Sequence, residues 1–185
     1  SVQVNDQKVG LMTGVQTVGV VGLGAMGAGI LEVFAKQGRH TTAVEIDQAA
    51  LERGQAIIKN SLSRAVERGR MEATAADEVF DSINWTVNFD ELATVDLVIE
   101  AVPERMDIKK DLFGRLDALC KPETIFATNT SSLSVTQIAA ATSRPERVIG
   151  MHFFNPAPVM KLVEVVTTVR TDSEVAETVR ALAQS

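Results

Sequence analysis

Hydrophobic positions along the chain fall into two alternating kinds of run. Short, β-branched stretches read as buried strands, and longer segments with apolar residues at helical spacing read as amphipathic helices. Thr17 to Gly22 (T-V-G-V-V-G) is a strand that ends at glycine. Ala25 to Gln37 is a helix, and Gly38 is a suitable residue to stop it. Thr41 to Ile46 is a second strand. Asp47 caps the next helix, on which Leu51, Ile58, Leu62 and Val66 share a face. Gly69 to Asp81 is polar with helical character, and Trp85 to Val87 is a short strand.

Val95 to Val102 (V-D-L-V-I-E-A-V) reads as a buried strand ended by Pro103. Glu104 to Leu119 is a helix with Ile108, Leu112, Leu116 and Leu119 on one face, and Thr124 to Thr128 is another strand. Ser134 with Gln137 forms a capping box for a short helix reaching Ala140. Val148 to Phe153 and Lys161 to Thr168 are strands. Thr171 with Glu174 forms a second capping box, which opens a final helix.

Strands alternating with helices imply a single α/β domain. Its sheet should be doubly wound and mostly parallel, with both faces covered. Residues 1–16 lack this patterning and are expected to form a flexible lead-in to a domain over 17–185. The net charge of −6 argues against a nucleic-acid partner, although a local site can still attract an anion. The single cysteine, Cys120, excludes a disulfide framework and points to a reducing, cytoplasmic setting. Its place near a helix end reads as a small buried hydrophobe rather than a nucleophile. No apolar run approaches the length of a membrane span, so no membrane partner is expected.

Gly22-Leu-Gly24-Ala25-Met26-Gly27 fits G-x-G-x-x-G. The first glycine suits a tight turn and the second lets the backbone approach a pyrophosphate. The third lets the helix pack on the strand, so the helix N-terminus faces the phosphates. Glycines also mark ordinary turns, but a strand precedes this one and a helix follows it. Glu45 lies 21 residues after Gly24, near the spacing of a ribose-binding carboxylate. A carboxylate there would repel a 2′-phosphate, which favours NAD over NADP. Asp47 takes the role if the register shifts by two.

The second constellation is G-M-H-F-F-N-P-A-P-V-M-K-L-V-E-V-V, Gly150 to Val166. His152 stands at a strand end, where open α/β sheets place ligands. Glu164 follows 12 residues later, across a turn containing Asn155, Pro156 and Pro158. A carboxylate hydrogen-bonded to an imidazole fixes its tautomer and stabilises the imidazolium, the more so between apolar walls. Ser131, in N-T-S-S at another strand end, offers a hydroxyl to the same rim. The set suggests a dinucleotide-dependent alcohol dehydrogenase, with His152 taking the proton. No G-x-S-x-G elbow or zinc ligand set accompanies it, and no metal is expected.

These motifs make the chain resemble the L-3-hydroxyacyl-CoA dehydrogenase family, including 3-hydroxybutyryl-CoA dehydrogenases. The resemblance rests on G-L-G-A-M-G-A-G-I (22–30), V-I-E-A-V-P-E (98–104), A-T-N-T-S-S-L-S (127–134) and the run from Gly150 to Val166. It implies a Rossmann-like NAD-binding domain acting on acyl-CoA in fatty-acid metabolism such as β-oxidation. His152 corresponds to the catalytic base, Glu164 to its partner, and Ser131 to a residue touching substrate and cofactor. Glu104, Lys109 and Asn155 correspond to cofactor-side positions, and Ser61 and Arg68 to coenzyme A contacts. Glu104 and Lys109 also have a plainer reading, as a helix-start acid and a surface lysine. In the family an all-helical second domain follows, closes the cleft and forms a homodimer. That domain is absent here, so the chain alone is expected to be weakly active or inactive. A free hydroxy acid or sugar acid as substrate, and a non-catalytic nucleotide-binding domain, are the alternative readings.

Overall fold

A computed structural model describes residues 14–131, 133–154 and 163–185. Among these residues the strands are β1 (Thr17–Val21), β2 (His40–Val44), β3 (Asn84–Thr86), β4 (Leu97–Glu100), β5 (Ile125–Thr128), β6 (Val148–Phe153) and β7 (Val163–Val166). The helices are α1 (Ala25–Lys36), α2 (Gln48–Glu67), α3 (Ala73–Asp81), α4 (Met106–Leu119), α5 (Val135–Ala139) and α6 (Ser173–Gln184). They build one sheet in the order β3-β2-β1-β4-β5-β6-β7. Neighbouring strands are parallel except β6 and β7, which are antiparallel. The chain therefore reverses its direction of travel across the sheet between β1 and β4. Ligands bind at such a switch point, outside the carboxyl ends of the strands.

The period of two along each strand divides the core. Val20, Ile99, Ala127 and Met151 face α1, α2 and α6, where they meet Ile30, Leu31, Ile58 and Val179. Val21, Val98, Phe126 and Val148 face the opposite way, onto Phe113 and Leu116 of α4 and Ile138 of α5. With both faces covered, β4 is buried from Leu97 to Glu100, which explains its nearly unbroken apolar sequence. The first helix ends as its sequence suggests, with Gly38 at φ +74 just past the C-cap Gln37. Asp47 caps α2 by accepting from the Ala50 amide at 2.7 Å.

Several sequence readings need correcting. The fully buried face of α4 carries Lys109, Phe113, Leu116 and then Cys120; of the expected stripe Leu116 lies on it, Leu112 and Leu119 pack partly buried beside it, and Ile108 is not part of that core. Lys109 joins the buried face because it has a buried partner, which a hydrophobicity pattern cannot register. Glu104 lies ahead of this helix, whose N-cap is Arg105. The final helix is entered through Asp172, not through a Thr171 capping box. Thr171 instead donates to the Val148 carbonyl and accepts from the Thr168 amide. The lead-in also ends earlier than expected: Val15 is buried, and the Gln16 carbonyl accepts from His40 N–H. Residues 1–13 lie outside the described part.

The end of the sheet away from the strand carboxyl termini is tied by ion pairs. Asp96 accepts from the amides of Gln16 and Thr17 and from Lys121. Asp117 accepts from Arg144 Nε at 2.8 Å and from Ser143 N–H at 2.7 Å. Partial burial opposes ionisation of Asp117, but the Ser143 donors and the Arg144 guanidinium outweigh it and hold the carboxyl below the usual aspartate range. Burial raises the Cys120 thiol to about 11, in keeping with an inert packing role.

A carboxyl with a lowered folded-state pKa binds its proton less readily folded than unfolded. Its stabilisation is present above the unfolded pKa and is lost as pH falls through the folded one. Asp117→Asn should therefore lower stability at pH 7 by about 1–2 kcal/mol in urea unfolding. The gap to the unsubstituted chain should close as pH falls below the ordinary aspartate range. A gap that stays constant with pH would remove the ion pair from the account.

Candidate functional site

The glycine turn sits where β1 meets α1. Gly22 has φ +89, and a Cβ there would come 2.8 Å from the Ala101 carbonyl oxygen. A Cβ on Gly27 would lie 1.7 Å from the Gly22 carbonyl oxygen, so the helix could not approach the strand with any side chain there. Gly24 is different: nothing lies within 4 Å of its hypothetical Cβ, and the residue is exposed at the N-cap of α1. Ala25 and Met26 form the first turn beyond it. Amides of a first helical turn have no partner within their own helix and point toward a bound anion. The fit for a pyrophosphate is open space in front of Gly24 with tight backbone packing behind it.

Glu45 closes the other side of this turn. It follows β2 directly, and its carboxylate accepts from Leu23 N–H at 2.7 Å and Ile46 N–H at 3.0 Å. Those two bonds hold the group at the mouth of the turn while leaving lone pairs for ribose hydroxyls. Asp47 is occupied in capping α2, so Glu45 is the better placed of the two acids.

The ends of β4 and β5 carry a buried polar cluster. Glu100 and Lys109 are both 0% exposed. The Lys109 ammonium donates to both Glu100 oxygens, at 3.1 and 2.9 Å, and to the Asn129 carbonyl at 2.9 Å. Glu100 also accepts from the Thr128 hydroxyl at 2.6 Å and the Val102 amide at 2.9 Å. Burial pushes the Glu100 carboxyl above its ordinary range, against the pull of Lys109, Thr128 and Val102. Lys109 is therefore not a surface lysine: its ammonium is engaged by Glu100 and the Asn129 carbonyl. Glu104 is the exposed member of the group: it accepts from the Thr130 hydroxyl and stands 4.0 Å from Lys109. Ser131, next in the chain, is exposed on the same rim.

His152 and Glu164 face each other in register across the β6–β7 pair. Their side chains share the face occupied by Val148 and Val166, while Met151 and Phe153 anchor the other. His152 Nδ1 lies 3.6 Å from Glu164 Oε2. That is a charge contact once the imidazole is protonated, but it is too long for the expected hydrogen bond. Nor are the walls wholly apolar: Glu164 is 61% exposed and His152 24%. The imidazole also packs against the Phe154 ring at 4.5 Å. Asn155 and the proline turn lie outside the described residues.

The two candidate coenzyme A contacts separate. Ser61 donates to Glu32 Oε1 at 3.0 Å, and Glu32 is itself buried and paired with Lys36 at 2.7 Å. The Ser61 hydroxyl thus ties α2 to α1. Arg68, at the C-cap of α2, is exposed and available to a ligand. Two residues escaped the sequence reading: Glu100 and Asn129. Asn129 accepts from Phe153 N–H at 3.2 Å and so joins β5 to the His152 strand. Glu100 carried a signal, because a carboxylate inside V-I-E-A-V must find a partner when the strand is buried. Among the described residues no three His, Cys, Asp or Glu side chains come together as metal ligands. No described helix is long and apolar enough to cross a membrane.

The chain matches the family described as 3-hydroxyacyl-CoA dehydrogenase, NAD binding domain, over residues 17–185. It is 47% identical over 167 residues to a 3-hydroxybutyryl-CoA dehydrogenase of Clostridioides difficile, covering 90% of this chain and 59% of that protein. It is similar to the crystal structure of 3-hydroxybutyryl-CoA dehydrogenase from Escherichia coli, with 46% identity and a TM-score of 0.87, covering 92% of this chain and 36% of that one. The (S)-3-hydroxybutyryl-CoA dehydrogenase PaaH1 of Ralstonia eutropha gives 38% identity and a TM-score of 0.89, with 92% and 60% covered. The chain thus spans less than two thirds of each of these relatives.

The glycine geometry predicts that two similar substitutions behave differently. Gly24→Ala should leave urea stability within about 0.5 kcal/mol of the original but weaken NADH binding, read by fluorescence titration, about tenfold or more. Gly27→Ala should cost about 1–3 kcal/mol of stability through overpacking. Equal effects on both properties would contradict the assignment. Glu45→Ala should weaken NADH by about tenfold and narrow the preference over NADPH, and an unchanged NADH affinity would rule out the ribose contact.

Proposed function

The chain belongs to the 3-hydroxyacyl-CoA dehydrogenase family as its NAD-binding domain, and from that premise we propose that it holds NAD and supplies the general base for oxidising (S)-3-hydroxyacyl-CoA to 3-oxoacyl-CoA. The observation that carries this reading is the facing pair His152 and Glu164, on the same sheet rim as the glycine turn and Ser131. Bound between the glycine turn and Glu45, NAD would supply the acceptor for the hydride at C3 of the substrate. His152 takes the hydroxyl proton at Nε2, because Nδ1 is turned toward Glu164. The imidazolium so formed gains from the Glu164 carboxylate, a modest amount given how exposed that group is. Ser131 donates to the substrate oxygen and steadies it for proton removal.

The remaining assignments follow from the same reading. Glu45 holds the ribose, and the turn from Gly22 to Gly27 with Ala25 and Met26 holds the pyrophosphate. Glu104 and Asn155 serve the cofactor side, and Arg68 offers its charge to coenzyme A phosphates. Ser61 joins that contact only by giving up Glu32. On this reading turnover by these residues alone is weak, because they span 59% of the length of the Clostridioides difficile relative and a further domain, as the family resemblance implies, closes the cleft and forms a homodimer.

In the full-length protein, His152→Gln should leave NADH affinity within about twofold while cutting 3-hydroxybutyryl-CoA oxidation by about 10²–10⁴-fold. Unchanged turnover would remove His152 from the mechanism. Loss of NADH binding together with turnover would mean that the imidazole serves structure rather than proton transfer.

A further inference from the structure

We propose that Glu100 and Lys109 form a positioning pair that holds the ends of β5 and β6 together and thereby sets the site of His152. The inference rests on the reading above for its functional consequence, but not for its structural claim. Three strand ends converge on this pair. Glu100 belongs to β4, and its backbone carbonyl accepts from Asn129 N–H at 2.9 Å. Its carboxylate takes Thr128, the last residue of β5. Lys109 reaches from α4 to the Asn129 carbonyl. Asn129 is thus held at its amide and its carbonyl, which leaves its side chain aimed at one target, the Phe153 amide. Phe153 is the neighbour of His152 and the last residue of β6.

A simpler pairing would serve if stability were the sole requirement. Replacing a buried ion pair by neutral groups of similar size is often neutral or stabilising, so a buried pair is weak evidence for stability. Its geometry accounts for it better: one ammonium binds a carboxylate and a loop carbonyl at once, and that carbonyl sits two residues before Ser131. Both side chains are fully buried, and Asn129 carries their effect to the rim.

The test is amide hydrogen exchange by NMR on the double variant Glu100→Gln/Lys109→Met, in which both charges are removed so that neither is left unpaired. Exchange at Phe153 should accelerate about tenfold relative to the original chain, with Ile149 and Met151 within about twofold. Lys109→Arg, which keeps the charge but puts a larger planar guanidinium where a compact ammonium fits, should give the same local pattern and covers the case in which the double variant does not fold. In the full-length protein the same double variant should cut 3-hydroxybutyryl-CoA turnover about tenfold while leaving NADH affinity within about twofold. Unaltered exchange at Phe153, or a uniform rise along β6, would overturn the positioning role, as would turnover equal to the original or a loss of NADH affinity as large as the loss of turnover. If the original chain itself binds no NADH, the proposed function fails while the exchange data still decide this inference.

Discussion

A charged side chain cannot stay buried without a partner, and Glu100 is buried in the middle strand of the sheet. The ends of β4, β5 and β6 are arranged around that constraint. Lys109 must turn inward from α4 to meet it, so the helix buries a lysine beside its apolar residues. Thr128 and the Val102 amide complete the carboxylate's hydrogen bonds, so β4 and β5 end at matched heights. Replacing one partner alone would strand the other's charge in the interior, which is far more costly than losing both.

Two different kinds of packing meet at this rim. On the β1 side the contacts are backbone on backbone: Gly22 against Ala101, and Gly27 against Gly22. Side chains are excluded there so that a helix N-terminus can sit beside the strand ends. On the β6 side the contacts are polar side chains reaching across strands, through Asn129, His152 and Glu164. The first kind suits a phosphate group, which is recognised by amides and the helix dipole. The second suits proton transfer, which needs a titratable group held at a fixed distance from a carboxylate.

The sequence made much of this legible. The doubly wound sheet followed from alternating periodicities, and the glycine turn from its position between strand and helix. Ser131, His152 and Glu164 stand out as candidates because polar residues at strand ends contrast with apolar runs. What escaped did so for physical reasons. Lys109 was read as a surface or cofactor residue because no local pattern tells a lysine that its partner lies nine residues earlier on another element. Asn129 acts through backbone groups as much as through its side chain, and backbone contacts leave no mark in composition. The spacing of His152 and Glu164 predicted their pairing but not its distance, because a register match fixes backbone positions and not the reach of two rotamers.

The central claim is that the glycine turn and His152 belong to one site. Its most direct measurement is an NMR titration of the imidazole signals with NADH. The chain has two histidines, and His40 opens β2 at the far end of the sheet. The account predicts that NADH shifts the His152 signal saturably and leaves His40 in place. Saturable binding with neither signal displaced, or with His40 alone displaced, would contradict it.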